Sequence, residues 1–477
     1  MTNLTSNRDK PVTHIGIARV TIEFETPFHV GSGEEGDVSD AAVVCDVNGL
    51  PTLPGTSLAG VLRATFSERF GQTSEKQLFG YQKKNEGEGS KLTISWGCIH
   101  DCHDKPVEGL VDGKRLNDPV LANAFNPTLR DHVRINHLGA SSSEERGKFD
   151  ELAVCKGHRF TFECMLQGTD DDQSLWNNFI EVLSDKSLRI GGKTRRGFGA
   201  FKIVKLLSKF FDLSKPADFE SFSSFSSRLD IDPKVLEPVE DKSYSTPDAK
   251  ERTVVLEPLE YWMFGSGEDI SEDGFEADTA PVRDRAVVWD SLPAKIKDTL
   301  VVLPGSSIKG ALSHRTAYHY NRLTGFFGDT NTLDVFEKRI NDNLAVEQLF
   351  GFAKEGKGEE SEGQRGRVLI DDIYVDTEPK SQLVHHVSID RFTGGARTLT
   401  GGLFNERPFW QGPNISLTIR VLDIENIDKI ALKALDEAIN DLCESRLALG
   451  GGTGRGLGFF KKVSDTGCLS PSDVKGE

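Results

Sequence analysis

Long apolar runs are missing from this 477-residue chain. None approaches the roughly 20 residues that cross a bilayer, and the N-terminal MTNLTSNRDK lacks the apolar centre of a secretory signal. Cysteine is sparse: seven residues, an odd number scattered along the chain, do not make a disulfide framework. A reducing cytoplasm is the expected compartment. Positive charge is in deficit, with 57 Lys and Arg against 74 Asp and Glu and a net charge of −17. That balance argues against a protein that coats nucleic acid nonspecifically. It leaves room for RNA binding through segregated charge, because acid concentrates in Glu268 to Asp278 and Glu355 to Glu362 while basic residues gather near two glycine-rich loops. Hydrophobic residues at 37% and charged residues at 27% describe a globular chain, long enough for two domains.

Five landmarks occur twice in the same order. Gly31-Ser32-Gly33 returns as Gly265-Ser266-Gly267. Asp40-Ala-Ala-Val-Val-Cys-Asp46 returns as Asp284-Arg-Ala-Val-Val-Trp-Asp290. Leu53-Pro54-Gly55-Thr56-Ser57-Leu58 is echoed by Leu303-Pro304-Gly305-Ser306-Ser307-Ile308, and Gln77-Leu78-Phe79-Gly80 by Gln348-Leu349-Phe350-Gly351. Gly191 to Gly199 (GGKTRRGFG) matches Gly450 to Gly458 (GGGTGRGLG). The order predicts two repeats, 12–207 and 251–464, joined by a linker over 208–250 with a Ser-, Asp- and Pro-rich centre, and followed by a loose tail over 465–477.

Within one repeat, Ile15 to Phe24 is strand-like, and Thr56 or Ser57 is placed to cap a helix with Leu58, Leu62, Phe66 and Phe70 on its core face. Leu92 to Trp96 is a short strand. Phe160, Phe162, Cys164 and Leu166 alternate as a half-buried strand does. Leu175, Phe179, Val182 and Leu183 mark a second helix, and a last strand covers Phe198 to Val204. In repeat two, Ile415, Leu417, Ile419 and Val421 form the alternating strand, and Ile427, Ala431, Leu435, Ile439 and Leu442 the second helix. The fold class expected is α+β, two tandem ferredoxin-like domains in β-α-β-β-α-β order, as RNA-recognition domains also have.

The Gly-Ser-Gly turn with Asp-x-x-Val-Val-x-Asp, the Leu-Pro-Gly-[Thr/Ser]-Ser helix start and the terminal glycine-rich loop together resemble the repeat-associated mysterious protein (RAMP) superfamily. They are most similar to its target-cleaving backbone subunits of type III CRISPR complexes. Two fused repeats look like the double-length subunit of type III-D complexes. The resemblance covers nearly all of both repeats. It implies guide RNA, target RNA, other effector subunits and a large cyclase-like subunit as partners, and no membrane. It also places the cleavage aspartates at Asp40 and Asp284. A Gly-flanked loop aspartate suits holding a hydrated divalent ion, Mg2+ or Mn2+, or orienting a ribose 2′-OH. Its alternative is a solvated turn residue. Asp46 and Asp290 read as turn starters.

The glycine-rich loops have flanking cations that fit phosphate cradles: Arg189, Lys193, Arg195 and Arg196 in repeat one, Arg455 and Lys461 in repeat two. Their alternative is a tight turn needing positive φ. Both follow a helix and precede a strand, the reverse of dinucleotide and P-loop sites. His132-Val-Arg-Ile-Asn136 recurs as His386-Val-Ser-Ile-Asp390-Arg391. The resemblance makes this the start of an inserted β-hairpin thumb that wedges into the guide–target duplex, with Arg391 and Arg397 on it in repeat two. Repeat one departs, with only His137 as a basic side chain before Arg146. His29 has Met263 as its counterpart, so a shared mechanism does not use it. Cys98-Ile-His100-Asp-Cys102-His103 is the one metal-like cluster, weighed as structural Zn2+ against an ordinary loop. Two further functions stay open: a non-catalytic RNA-binding backbone, and a guide-RNA-processing endonuclease, which would want a histidine.

Overall fold

The computed structural model describes residues 11–33, 42–83, 86–133, 135, 147–240, 248–267, 276–326, 342–354, 362–397 and 402–463. The chain divides into two compact units. Unit 1 comprises Met1–Arg134, Ser141–Pro247 and Asp284–Thr299; unit 2 comprises Ile135–Ala140, Asp248–Arg283 and Leu300–Glu477.

Unit 1 is built on β1 (His14–Phe24), α1 (Gly55–Phe79), β2 (Leu92–Ile94), β3 (Arg159–Gly168), α2 (Gln173–Leu183) and β4 (Phe201–Asp212). The strands form one antiparallel sheet in the order β4-β1-β3-β2. Unit 2 repeats this with β5 (Ala249–Pro258), α3 (Gly305–Leu323), β6 (Val368–Ile370), β7 (Ile415–Leu422), α4 (Lys429–Cys443) and β8 (Phe460–Lys462), and the order is again β8-β5-β7-β6. The alternation read in the sequence sets which face is buried. Phe160, Phe162, Cys164 and Leu166 of β3, and Ile415, Leu417, Ile419 and Val421 of β7, all point into their cores. Leu58, Leu62 and Phe66 of α1 and Ala431, Leu435, Ile439 and Leu442 of α4 pack over them.

The helix starts differ from the capping read in the sequence. Pro54 and Pro304 stand at the N-caps and no side chain caps either helix. Glycine is there for space: a β-carbon on Gly55 would lie 2.3 Å from the Ile94 carbonyl oxygen, and one on Gly305 would lie 2.3 Å from that of Ile370. The recurring Pro-Gly thus brings the first turn of each helix against the following strand's main chain.

The linker expected over 208–250 is corrected through residue 240. β4 runs to Asp212, a helix covers Pro216–Ser223, and Phe211 and Leu236 join Ile15, Ile17 and Leu207 in a second cluster. Buried Arg19 on β1 secures this strap. Its guanidinium donates to the carbonyls of Ser226, Arg228 and Ile231 and to Glu163, with the Phe225 ring beside it. Residues 241–247 lie outside the described residues.

Unit 2 carries a buried charge at the seam between α3 and α4. Asp441 accepts from Arg315 at 2.5 Å, His319 at 2.7 Å and Arg446 at 2.8 Å. Burial alone would raise its carboxyl, but the bonds from His319, Arg446 and Arg315 outweigh this and hold it at about 2. A carboxyl depressed below its unfolded value stabilises the fold at pH above about 4, and the contribution is lost as pH falls toward 2. Asp441→Ala is expected to cost about 3 kcal/mol at neutral pH by stranding its partners, and to flatten the acid limb of stability in urea titrations between pH 5 and 2.

Candidate nucleic-acid interface

The glycine-rich loops leave α2 and α4 and turn back into β4 and β8. In unit 1 the Gly192 N–H donates to the His29 carbonyl at 2.7 Å and the Gly199 N–H to that of Pro27 at 2.8 Å. In unit 2 Gly451 donates to Met263 at 2.7 Å and Gly458 to Tyr261 at 2.8 Å. A β-carbon on Gly191 would come 2.4 Å from the His29 oxygen, and one on Gly450 2.2 Å from the Met263 oxygen. His29 and Met263 therefore share a backbone role, and the His29 ring bonds the Leu152 carbonyl at 2.7 Å. These amides serve the fold. The loops present their side chains on a short 3-10 turn, Thr194–Arg196 in one and Thr453–Arg455 in the other, entered through a left-handed Lys193 or Gly452.

Two hairpins stand beside the loops. Thr128–Val133 pairs with Lys148–Ala153, and Val384–Val387 pairs with Leu403–Glu406. The second strand of each carries a buried glutamate absent from the candidate residues read in the sequence. Glu151 accepts from Lys193 at 2.7 Å and Arg196 at 2.5 Å, with His132 Nε2 at 3.6 Å. Glu406 accepts from Arg455 at 2.6 Å and bonds His386 Nε2 at 2.8 Å. Burial lowers the His132 imidazole, against the pull of Glu151. Each glutamate follows its histidine by roughly 20 residues, so carrying the repeat comparison past His132 and His386 finds both. Beyond the second hairpin, Ile389 bridges to Ala396, and Asp390 receives the amides of Phe392 and Thr393. The Phe392 ring is 98% exposed, between the exposed Arg391 and Arg397.

The remaining candidate residues fall in several places. Asp40 lies outside the described residues, as does His137. Asp284 departs from the open-loop expectation. It sits on the strand Arg283–Val288 in a side-chain environment only 1% exposed, receiving Arg130 at 2.6 Å, Thr128 at 3.0 Å and the Arg285 amide at 2.8 Å. Arg189 is also corrected: it is buried, and its guanidinium donates to the carbonyls of Lys186 and Leu188, so it ties the turn that follows α2 rather than facing solvent. Arg195 is half-buried, and Arg455 and Lys461 are exposed. Asp46 opens a turn, accepting from the amides of Asn48 and Leu50.

The cysteine–histidine cluster is dispersed. Both His100 nitrogens are engaged, by Asp104 at 2.8 Å and Thr161 at 2.7 Å. Cys102, His103 and Asp118 come together instead. Burial, then Asp118, pushes the Cys102 thiol up to about 12, while Asp118 caps the helix Pro119–Ala124 and bonds the Cys102 amide. Cys155 bonds Asn123. Among the described residues no fourth donor completes a tetrahedral zinc site there. No helix among them is long and apolar enough to cross a membrane.

The crowding at the loops makes a paired prediction. Gly450→Ala, at positive φ and against the Met263 carbonyl, is expected to lose about 3 kcal/mol or more. Gly454→Ala, with nothing within 4 Å of its added carbon, is expected to leave the thermal midpoint within a degree or two.

Comparison with known proteins accords with this duplication. The "CRISPR system Cms endoribonuclease Csm3" of Methanocaldococcus jannaschii (strain ATCC 43067 / DSM 2661 / JAL-1 / JCM 10045 / NBRC 100440) is 26% identical over 210 residues, 39% of this chain and 79% of that protein. A chain in a cryo-EM structure of the Type III-B Cmr-beta complex bound to cognate target RNA matches at 13% identity and a TM-score of 0.28, over 41% of this chain. This chain spans 60% of that one, a likeness too slight to argue from. The profile of the RAMP superfamily matches residues 21–202 and again 255–461, which takes in both helix pairs, both hairpins and both glycine-rich loops. The chain belongs to the RAMP superfamily.

Proposed function

We propose that this chain is a double-length, RNA-binding backbone subunit of a type III CRISPR effector complex, with two ferredoxin-like RAMP domains and a thumb hairpin in each. Guide RNA, target RNA and further effector subunits, including the large cyclase-like one, are its proposed partners. The observation that carries the reading is the doubled site. In each unit a half-exposed cation of the glycine-rich loop is held beside a hairpin, and in unit 2 the hairpin exposes an aromatic ring between two arginines. Partly exposed cations suit phosphates, and an exposed ring suits stacking on or wedging between bases. Arg195, Arg196, Lys193, Arg455, Lys461, Arg391 and Arg397 are the proposed phosphate contacts, and Phe392 the base contact.

Target cleavage is proposed at Asp40. Its carboxylate would orient a ribose 2′-OH for in-line attack on the adjacent phosphorus, releasing a 5′-OH fragment and leaving a 2′,3′-cyclic phosphate. The thumb assists by splaying the nucleotide out of helical geometry. A specific observation favours a different role for Asp284. Both its oxygens are engaged, by Arg130, Thr128 and the Arg285 amide. Such a carboxylate does not fit a divalent cation as a further ligand, so no step is routed through a metal there. Repeat two is then a non-catalytic backbone, and Asp284 ties its own strand to Arg130 and Thr128 within unit 1.

The test is substitution within the assembled complex, with target RNA labelled at one end. Asp40→Ala is expected to abolish one cleavage position and leave target binding intact. Asp284→Ala is expected to lower the stability of the subunit while leaving the cleavage positions unchanged. Loss of a discrete cut on Asp284→Ala, with the melting temperature unchanged, would restore a catalytic role to it. An unchanged set of cuts on Asp40→Ala would remove the nuclease assignment from that residue.

A further inference from the structure

The two glutamates deserve a role of their own, because each is nearly inaccessible and each meets the same three elements. Glu151 is 6% exposed and Glu406 1%. Each lies on the second hairpin strand, next to a histidine of the first strand and a cation of the glycine-rich loop. A carboxylate is costly to bury unless its lone pairs are met. Both oxygens of Glu406 and the Oε1 of Glu151 are met, by cations that are themselves only partly buried: the side chains of Lys193, Arg196 and Arg455 are 38%, 40% and 43% exposed. One side of each cation is held by protein and the other faces water. In unit 2 the constraint extends through the hairpin, since the His386 ring stacks on Phe404 at 4.7 Å and the Arg455 guanidinium lies 5.2 Å from the same ring.

We propose that Glu151 and Glu406 are positioning residues for RNA. Each locks the loop cation and the thumb hairpin into one relative placement, so that a phosphate and the base beside it are met at a fixed spacing. The proposal rests on the RNA-binding reading of the site. Its physical content is that ordering is done before RNA arrives. A long, flexible Arg or Lys loses rotamer freedom on gripping a phosphate, and a buried carboxylate that already holds it removes that cost. The guanidinium suits the task, because it can donate to a carboxylate on one edge and keep donors on the other.

The role predicts a sign opposite to that of charge alone. Removing an acid beside a polyanion should raise affinity and steepen the salt dependence. Removing a positioning acid should lower affinity. In the full-length chain, with a fluorescent single-stranded RNA titrated across a salt series, Glu406→Gln is expected to weaken binding about threefold to tenfold while circular dichroism stays unchanged. Arg455→Ala is expected to weaken binding as well, and the double variant to be no weaker than Arg455→Ala, since the glutamate acts through that arginine. The same relation is expected for Glu151→Gln with Lys193 and Arg196 both replaced by Ala. Tighter binding by Glu406→Gln, or losses that add in the double variant, would overturn the positioning role. So would a loss on Arg455→Ala with none on Glu406→Gln. If Arg455→Ala itself leaves binding untouched, the RNA-binding reading of the loop falls, and the positioning role with it.

Discussion

Main chain lies directly on main chain where the glycine-rich loop meets the segment leaving the first strand. In both units two loop amides are donated to carbonyls of that segment, and the glycines leave no room for a β-carbon. Much of the candidate site is placed by this contact. It fixes where the loop departs from the sheet and aims its 3-10 turn at the hairpin. The cation of that turn then comes within reach of a glutamate on the hairpin's second strand. Glycine contributes here through close approach and positive φ, which the tight-turn reading of the loop anticipates. In the proposed site, phosphate contact falls instead to lysine and arginine side chains.

The two repeats use the same frame and differ in what covers the outer face of the sheet. In unit 1 the chain after β4 crosses back over β1 and is held by the many donors of one buried arginine. The corresponding face of unit 2 is polar and exposed: Thr253 pairs with Thr418, and Arg420 bonds Glu251 and Asp371. Arginine is suited to such a strap because its planar donors can meet several carbonyls at once, which a lysine cannot do. The connecting stretch is thus a structural element of the first repeat, whatever its composition suggests.

The sequence made the repeated β-α-β-β-α-β order legible because the signals are local and periodic. Alternation over Phe160 to Leu166 and helical spacing over Ala431 to Leu442 report burial directly. The strap was not legible, since Phe211, Phe222, Phe225 and Leu236 are thinly spread among Ser, Asp and Pro, and the partner that orders them, Arg19, lies about 200 residues away. The glycine-flanked neighbourhood of Asp284 reads as a loop. Arg130 and Thr128, which draw it into a buried ion pair, sit in the other repeat's sequence and share no motif with it. For the cysteine–histidine cluster, weighed as zinc against an ordinary loop, proximity along the chain says nothing of Thr161, which occupies His100. Glu151 and Glu406 were within reach of the repeat comparison, as they stand at nearly equal spacing after a recurring histidine.

The acidic net charge takes on a different meaning once these contacts are known. Several carboxylates that contribute to the −17 balance are consumed internally: Asp284 by Arg130, Glu151 by Lys193 and Arg196, Glu406 by Arg455, and Asp441 by three partners. Two of these four carboxylates buttress the cations proposed to meet RNA. A whole-chain charge count therefore cannot decide whether a polyanion binds, because potential near a groove is set by the few groups facing it and decays within about 10 Å at ordinary salt. What matters in the proposed site is that the partly exposed Lys193, Arg196 and Arg455 are each paired with a buried carboxylate. An acidic chain can then hold its cations ordered in the absence of RNA and still present them to a phosphate backbone.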